Sequence, residues 1–157
     1  YTGFTYCDYT DIADRSKAMG MDFHLYAGRT DQKFRDHYSE RCFIHKPLLY
    51  EELMDSVGRH DWGLVGNTVK TREWDVAMPN KLFEYMATGV PIVSMNASDC
   101  SKFIEGTGIG ISVSGPEELG ERWKEHREKR KILFKERQAW SMNSHIHKLE
   151  EFYGAIA

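Results

Sequence analysis

The 157-residue sequence predicts an α/β fold: a three-layer, Rossmann-like parallel sheet with helices on both faces. Two observations carry that expectation. Short β-rich runs alternate with helical stretches up to residue 113, and such alternation belongs to parallel strands joined by crossover helices. The stretch MPNKLFEYMATGVPIVS, residues 78–94, then reads as a complete helix-to-strand unit, with a proline start, an apolar stripe, a glycine stop and an apolar strand.

Taken in order, Tyr1, Thr2 and Gly3 read as the end of a strand running into a glycine turn. Further strands are expected at 22–26, 42–45, 61–65, 90–94 and 109–113, which makes six with the first one clipped. Helices are expected at 10–19, 31–38, 50–59, 79–88 and 98–105. In the helix at 79–88, Pro79 suits the first helical position and Gly89 the stop. Leu82, Phe83, Met86 and Ala87 form its apolar stripe, with Lys81, Glu84 and Thr88 on another face. Residues 116–137 are dense in Glu, Lys and Arg of mixed sign, which reads as a solvated helix face with Leu119, Trp123 and 132–134 as an intermittent apolar side. A last helix at 142–156 puts Ile146, Leu149, Phe152 and Tyr153 on one side. The chain 1–157 reads as one domain, with 116–157 as its helical C-terminal part.

Composition narrows the classes. A 41% hydrophobic and 29% charged sequence is ordinary for a globular protein, and a net charge of -3 argues against a nucleic-acid partner. Cys7, Cys42 and Cys100 form no CxxC pair, which fits reduced thiols in the cytoplasm. No apolar run is long enough to span a bilayer and no signal peptide opens the sequence, whereas a first residue other than Met suggests an upstream part. His145 and His147 point to different sides of a helix, so no metal site is expected.

In open α/β sheets, ligands bind beyond the carboxyl ends of the strands. Gly3, Gly28, Lys46, Asn67 and the loop 70–80 all fall there. Amides following Pro79 are placed to face an anion, which makes a phosphate seat. Glu84 leans back toward that seat, where a ribose hydroxyl pair is a natural partner. Trp74 is open to two readings, a sugar-stacking platform or a core or lid residue.

The Gly3 turn, FHLYAGR, FIHKPLLYEEL, DWGLVGN, PNKLFEYMATGVPIV and GTGIGISVSGPEEL together resemble the C-terminal half of family 4 glycosyltransferases. Those enzymes have the GT-B architecture, an acceptor domain followed by a nucleotide-sugar domain, and this chain is similar to the second alone. The resemblance implies that Glu84 holds the donor ribose and that Pro79, Asn80, Lys81 and Leu82 form the helix start facing phosphates or sugar. It implies that Gly3 lets backbone approach the diphosphate, with a plain turn glycine as the alternative. It also implies that Ile44, His45 and Lys46 border the base, although His45 reads equally as a strand-end histidine without a ligand.

Two departures stand out. The family places a second glutamate eight residues before the ribose glutamate, and here that position is Val76, leaving Asp75 or Glu73 as possible replacements. The family's Arg and Lys after the first strand are absent from 4–11, so Arg29 is the first choice for offsetting leaving-group charge, followed by Lys70, Arg72 or Lys81. The resemblance implies a retaining, metal-free transfer of a sugar from a nucleotide-diphosphate sugar to a glycan or lipid-linked acceptor, with no cofactor, in polysaccharide or glycoconjugate biosynthesis. It implies a cytoplasmic site near the inner face of the membrane, contacted only through the N-terminal GT-B domain. This part alone is expected to bind nucleotide without turnover. The alternative is a non-catalytic nucleotide-sugar or glycan-binding module on the same fold.

Overall fold

The computed structural model describes residues 2–3, 8–27 and 31–154. The chain runs β1 (Thr2–Gly3), α1 (Thr10–Ala18), β2 (His24–Ala27), α2 (Gln32–Tyr38), β3 (Phe43–His45) and α3 (Tyr50–Val57). It continues through β4 (Gly63–Gly66), α4 (Arg72–Val76), α5 (Asn80–Thr88), β5 (Ile92–Met95), α6 (Ser98–Thr107) and β6 (Gly110–Val113). The tail is α7 (Pro116–Arg122), a 3-10 turn at Trp123–Glu125, α8 (His126–Glu136), a second turn at Arg137–Trp140 and α9 (Met142–Gly154).

Among the described residues all strand pairs are parallel, as the alternating pattern requires, and they form two three-stranded sheets in the orders β1-β2-β3 and β4-β5-β6. Helices cover both sides. Leu25, Leu64, Val93 and Ile111 point to one side, where Tyr9 just before α1 and Ile12, Tyr38 and Leu119 from α1, α2 and α7 meet both sheets in one core. Val65 and Ile92 point to the other, against Val57, Leu82, Tyr85, Ile104 and Leu133 from α3, α5, α6 and α8. Consecutive residues such as Leu64 and Val65 thus serve opposite cores, which is why the strands read as unbroken apolar runs rather than as alternation.

Close packing depends on particular residues. A Cβ on Gly63 would lie 2.4 Å from Cγ of Tyr85, so the bare glycine in β4 is what lets that ring lie against the strand. Gly89 ends α5 in the left-handed region at φ 75°, with Val90 N donating to Tyr85 O at 2.9 Å, a closure favouring glycine.

Several expectations are corrected. Pro79 is the extended cap before α5, at φ -70° and ψ 149°, and the first helical residue is Asn80. The buried face of α5 is Lys81, Leu82, Tyr85 and Met86, whereas Phe83 is 47% exposed and Ala87 also faces outward. Rotating the stripe by one residue keeps helical spacing, and the tyrosine ring seated on Gly63 fixes which rotation wins. The loop 70–80 contains a helix, α4, capped by Thr71 Oγ1 accepting from Trp74 N at 3.4 Å. The charged tail is broken into α7 and α8 by a turn; Leu133 is fully buried while Phe134 stays 48% exposed. In α9, Ile146 is 44% exposed. The expected packing of Leu149, Phe152 and Tyr153 lies outside the described residues, as do Cys7 and Gly28.

Candidate functional site

The loops leaving β1, β4 and β5 are tied together by two asparagines. Asn67, 4% exposed, donates from Nδ2 to Asp8 O at 2.9 Å. Asn96 holds φ 50° and donates from Nδ2 to the carbonyls of Asn67 and Thr68, each at 2.9 Å. A buried amide that satisfies backbone carbonyls of neighbouring loops fixes their relative position. Sequence reasoning singled out Asn67 by its place after a strand and missed Asn96, although the MN closing β5 repeats the GN closing β4.

At the start of α1, Asp8 Oδ1 accepts from Thr10 N at 2.8 Å and Tyr38 OH at 3.1 Å. The Thr10 hydroxyl also donates to it and, with the Thr10 amide, holds the Asp8 carboxyl below the usual carboxylate range. The protein's own carboxylate therefore occupies the positive end of α1. Gly3 lies in β1 opposite Ala27, and Arg29, the first-choice cation, is outside the described residues.

In β3, Ile44 packs against the core and Lys46 is exposed. The His45 ring stacks on Tyr26 at 4.1 Å and 4° and shares a 2.8 Å hydrogen bond between its Nε2 and His24 Nδ1. Tyr26 OH bonds to His60 Nε2 at 2.8 Å and to Ser56 Oγ at 2.9 Å. Burial pushes all three histidines down, His60 to about 4, so the cluster is neutral at pH 7. The ring of His45 is thereby committed to the face of its sheet.

At the start of α5, Asn80 is exposed, Leu82 is wholly buried and Lys81 is 6% exposed. Glu84 is half-buried one turn further on. In α4, Asp75 Oδ1 accepts from Ser98 Oγ at 2.6 Å and lies 3.8 Å from Lys70 Nζ, while Glu73 and Arg72 are exposed. Val76 is 69% exposed. Trp74 packs against the α5–α6 core, the second of its two readings. A groove of about 460 Å³ beyond β5 and β6 is lined by Lys70, Asn96, Ser98, Ser114 and Glu118; a larger cavity lies between β2 and β4, and the start of α5 and Glu84 line neither. No described cluster of three His, Cys, Asp or Glu is placed to hold a metal ion.

The family model described as glucosyltransferase 3-like, C-terminal domain, matches residues 8–144. The chain belongs to that family. It is a glycosyltransferase C-terminal domain, and a domain of that kind works with an N-terminal partner domain on sugar substrates. The match to the glucosyltransferase 3-like family runs from Asp8 through α4 and α5 into α9, so every described candidate except Gly3 falls within it. No curated protein and no solved structure matches the chain. No described helix of this domain is long and apolar enough to cross a membrane.

Proposed function

We propose that this glucosyltransferase 3-like domain is the donor-binding half of a GT-B, family 4-like enzyme that moves a sugar from a nucleotide-diphosphate sugar to a glycan or lipid-linked acceptor. The observation carrying the reading is the start of α5. It follows the loop after β4 that Asn67 and Asn96 tie to its neighbours, has an exposed Asn80 behind an extended Pro79, and has Glu84 half-buried one turn along. An amide-bearing helix start favours the charge that builds on a departing diphosphate, and a carboxylate beside it suits a pair of ribose hydroxyls. With Asp8 seated at α1, the offsetting cation is sought in Arg29, Lys70, Arg72 or Lys81. Gly3 is assigned to backbone approach at the diphosphate, and Ile44, His45 and Lys46 to the rim of the base pocket. The transfer is retaining and needs no metal, and the setting is cytoplasmic polysaccharide or glycoconjugate assembly at the inner face of the membrane.

Titrating the chain calorimetrically with UDP, GDP, ADP and their sugar conjugates tests this. One nucleotide is expected to bind, and Glu84→Ala to weaken it by about 1 to 3 kcal/mol. Sugar transfer by this domain without its N-terminal partner would contradict the reading.

A second reading is favoured by Val76, which is exposed where the family has a carboxylate, and by Asp75, which is engaged with Ser98. It is a non-catalytic nucleotide-sugar or glycan-binding module. Supplying the N-terminal partner domain distinguishes the two: turnover supports the enzyme, and binding without turnover supports the module. If the enzyme reading holds, Asp75→Asn and Glu73→Gln in that complex report which of the two carboxylates serves the transferred sugar.

A further inference from the structure

The groove of about 460 Å³ beyond β5 and β6 lies at the carboxyl ends of two parallel strands, where open α/β sheets take their ligands. We infer that it holds a neutral sugar unit of a glycan, one not attached to a nucleotide, by accepting hydrogen bonds from its hydroxyls. The inference deepens the proposed function, since it gives the acceptor glycan a place on this domain, and it does not draw on the start of α5.

The placement of protons carries it. Four serines line the groove, Ser98, Ser101, Ser112 and Ser114, and each commits its hydroxyl proton inside the protein. Ser98 Oγ donates to Asp75 Oδ1 at 2.6 Å and Ser114 Oγ to Glu118 Oε2 at 3.0 Å, both carboxylates that only accept. The other two belong to a chain of hydroxyls whose direction is fixed from its buried end. Ser94, wholly buried in β5, donates to Ala97 O at 3.3 Å, because a carbonyl cannot donate. Its 2.8 Å bond with Ser101 Oγ is therefore donated by Ser101, and the 3.0 Å bond between Ser101 and Ser112 by Ser112. Ser112 Oγ, at the groove end of the chain, is left with lone pairs alone. Asn96 is spent in the same way. Its Nδ2 donates to the carbonyls of Asn67 and Thr68, which leaves Oδ1 as an acceptor with no partner among the described residues.

Glu105 and Glu118 add carboxylate oxygens to this wall, and the Ser114 amide, with its hydroxyl and Arg122, holds the Glu118 carboxyl below the usual carboxylate range. Lys70, 3.8 Å from Asp75, is the donor side chain that remains among the described lining residues. A wall of acceptors selects a ligand that brings donors. An anion such as a diphosphate would meet two carboxylates, while a metal ion finds no described set of three ligating side chains and any cation meets Lys70 at one end. A sugar ring brings several hydroxyls and no charge. Because no described lining residue is aromatic, recognition runs through hydroxyls rather than through stacking, and the affinity expected is millimolar.

The test follows the backbone amide signals of the chain by two-dimensional NMR during titration with glucose, galactose, N-acetylglucosamine, cellobiose, maltose and lactose, beside UDP and UDP-glucose. At least one free saccharide is expected to move the amides of Asn96, Ser98, Ser112 and Ser114 saturably. The same saccharide with its hydroxyls O-methylated, which keeps acceptors and loses donors, is expected to leave them in place. Ser112→Ala and Ser114→Ala are each expected to weaken the binding about two- to tenfold with the rest of the spectrum unchanged. Groove signals that stay still under every saccharide, that answer equally to the methylated one, or that ignore both variants overturn the inference. So do groove signals that answer only to UDP-glucose, because the sugar is then the donor's, or only to magnesium or spermidine in a separate arm, because the occupant is then a cation. Shifts at the start of α5 under UDP report on the nucleotide site by themselves, so that failure at one site is read apart from failure at the other.

Discussion

Two single residues illustrate how much of this domain turns on local contact and local charge. The first is Gly63, whose missing side chain gives Tyr85 its place. Gly63→Ala is expected to cost about 1 to 3 kcal/mol in denaturant unfolding, and the same change beside Tyr85→Ala less than about 1 kcal/mol, because the clash is then gone. The second is His60, held to about 4 by burial and by the neighbouring His24 and His45 rings. Its folded value lies below its unfolded value of about 6.5, so the unfolded chain takes up more protons between them. Stability is therefore complete above pH 6.5 and lost as pH falls toward 4. Asp61 nearby opposes the shift, and half-burial leaves solvent screening, so a loss of roughly 1 to 2 kcal/mol is expected in urea unfolding at pH 4.5 relative to pH 7. His60→Gln is expected to flatten that dependence.

At the scale of elements, the caps explain where helices begin. Asp31 Oδ1 accepts from Phe34 N at 2.8 Å, and Asp31→Ala is expected to cost about 1 kcal/mol in the same unfolding measurement, with little change at the α5 end of the molecule. The strands and most helices were legible because glycine, proline and β-rich runs punctuate them. Helix α4 was not, since five residues make little more than one turn and leave no periodic stripe. The face of α5 was misread because lysine is usually a surface residue and phenylalanine a core one, whereas here Lys81 is inside and Phe83 outside. At the strand ends, position alone pointed to Asn67, whose side chain reaches Asp8 O. The seating of Asp8 at α1, the stacking of His45 and the tie from Asp75 to Ser98 were invisible, since each joins residues far apart in sequence or depends on a rotamer.

At the scale of the whole molecule, the tail is part of the same packing as the strands. Leu133 of α8 shares a core with Val65 of β4, Leu82 of α5 and Ile104 of α6, and Arg15 of α1 is paired with Glu117 of α7. Leu133→Ala is expected to destabilise the fold by about 2 to 4 kcal/mol while keeping a single cooperative transition, and a separate early transition in circular dichroism would show the tail to be an independent unit. Within each sheet, every strand pairs with its neighbour in sequence, so each crossover closes a local loop. Local closures are fast, and the joining of the two halves depends on contacts such as Leu25 with the Leu64 side of the core, which are distant along the chain. Refolding is accordingly expected to be paced by the docking of one half on the other, the step that lets Asn67 reach across to Asp8.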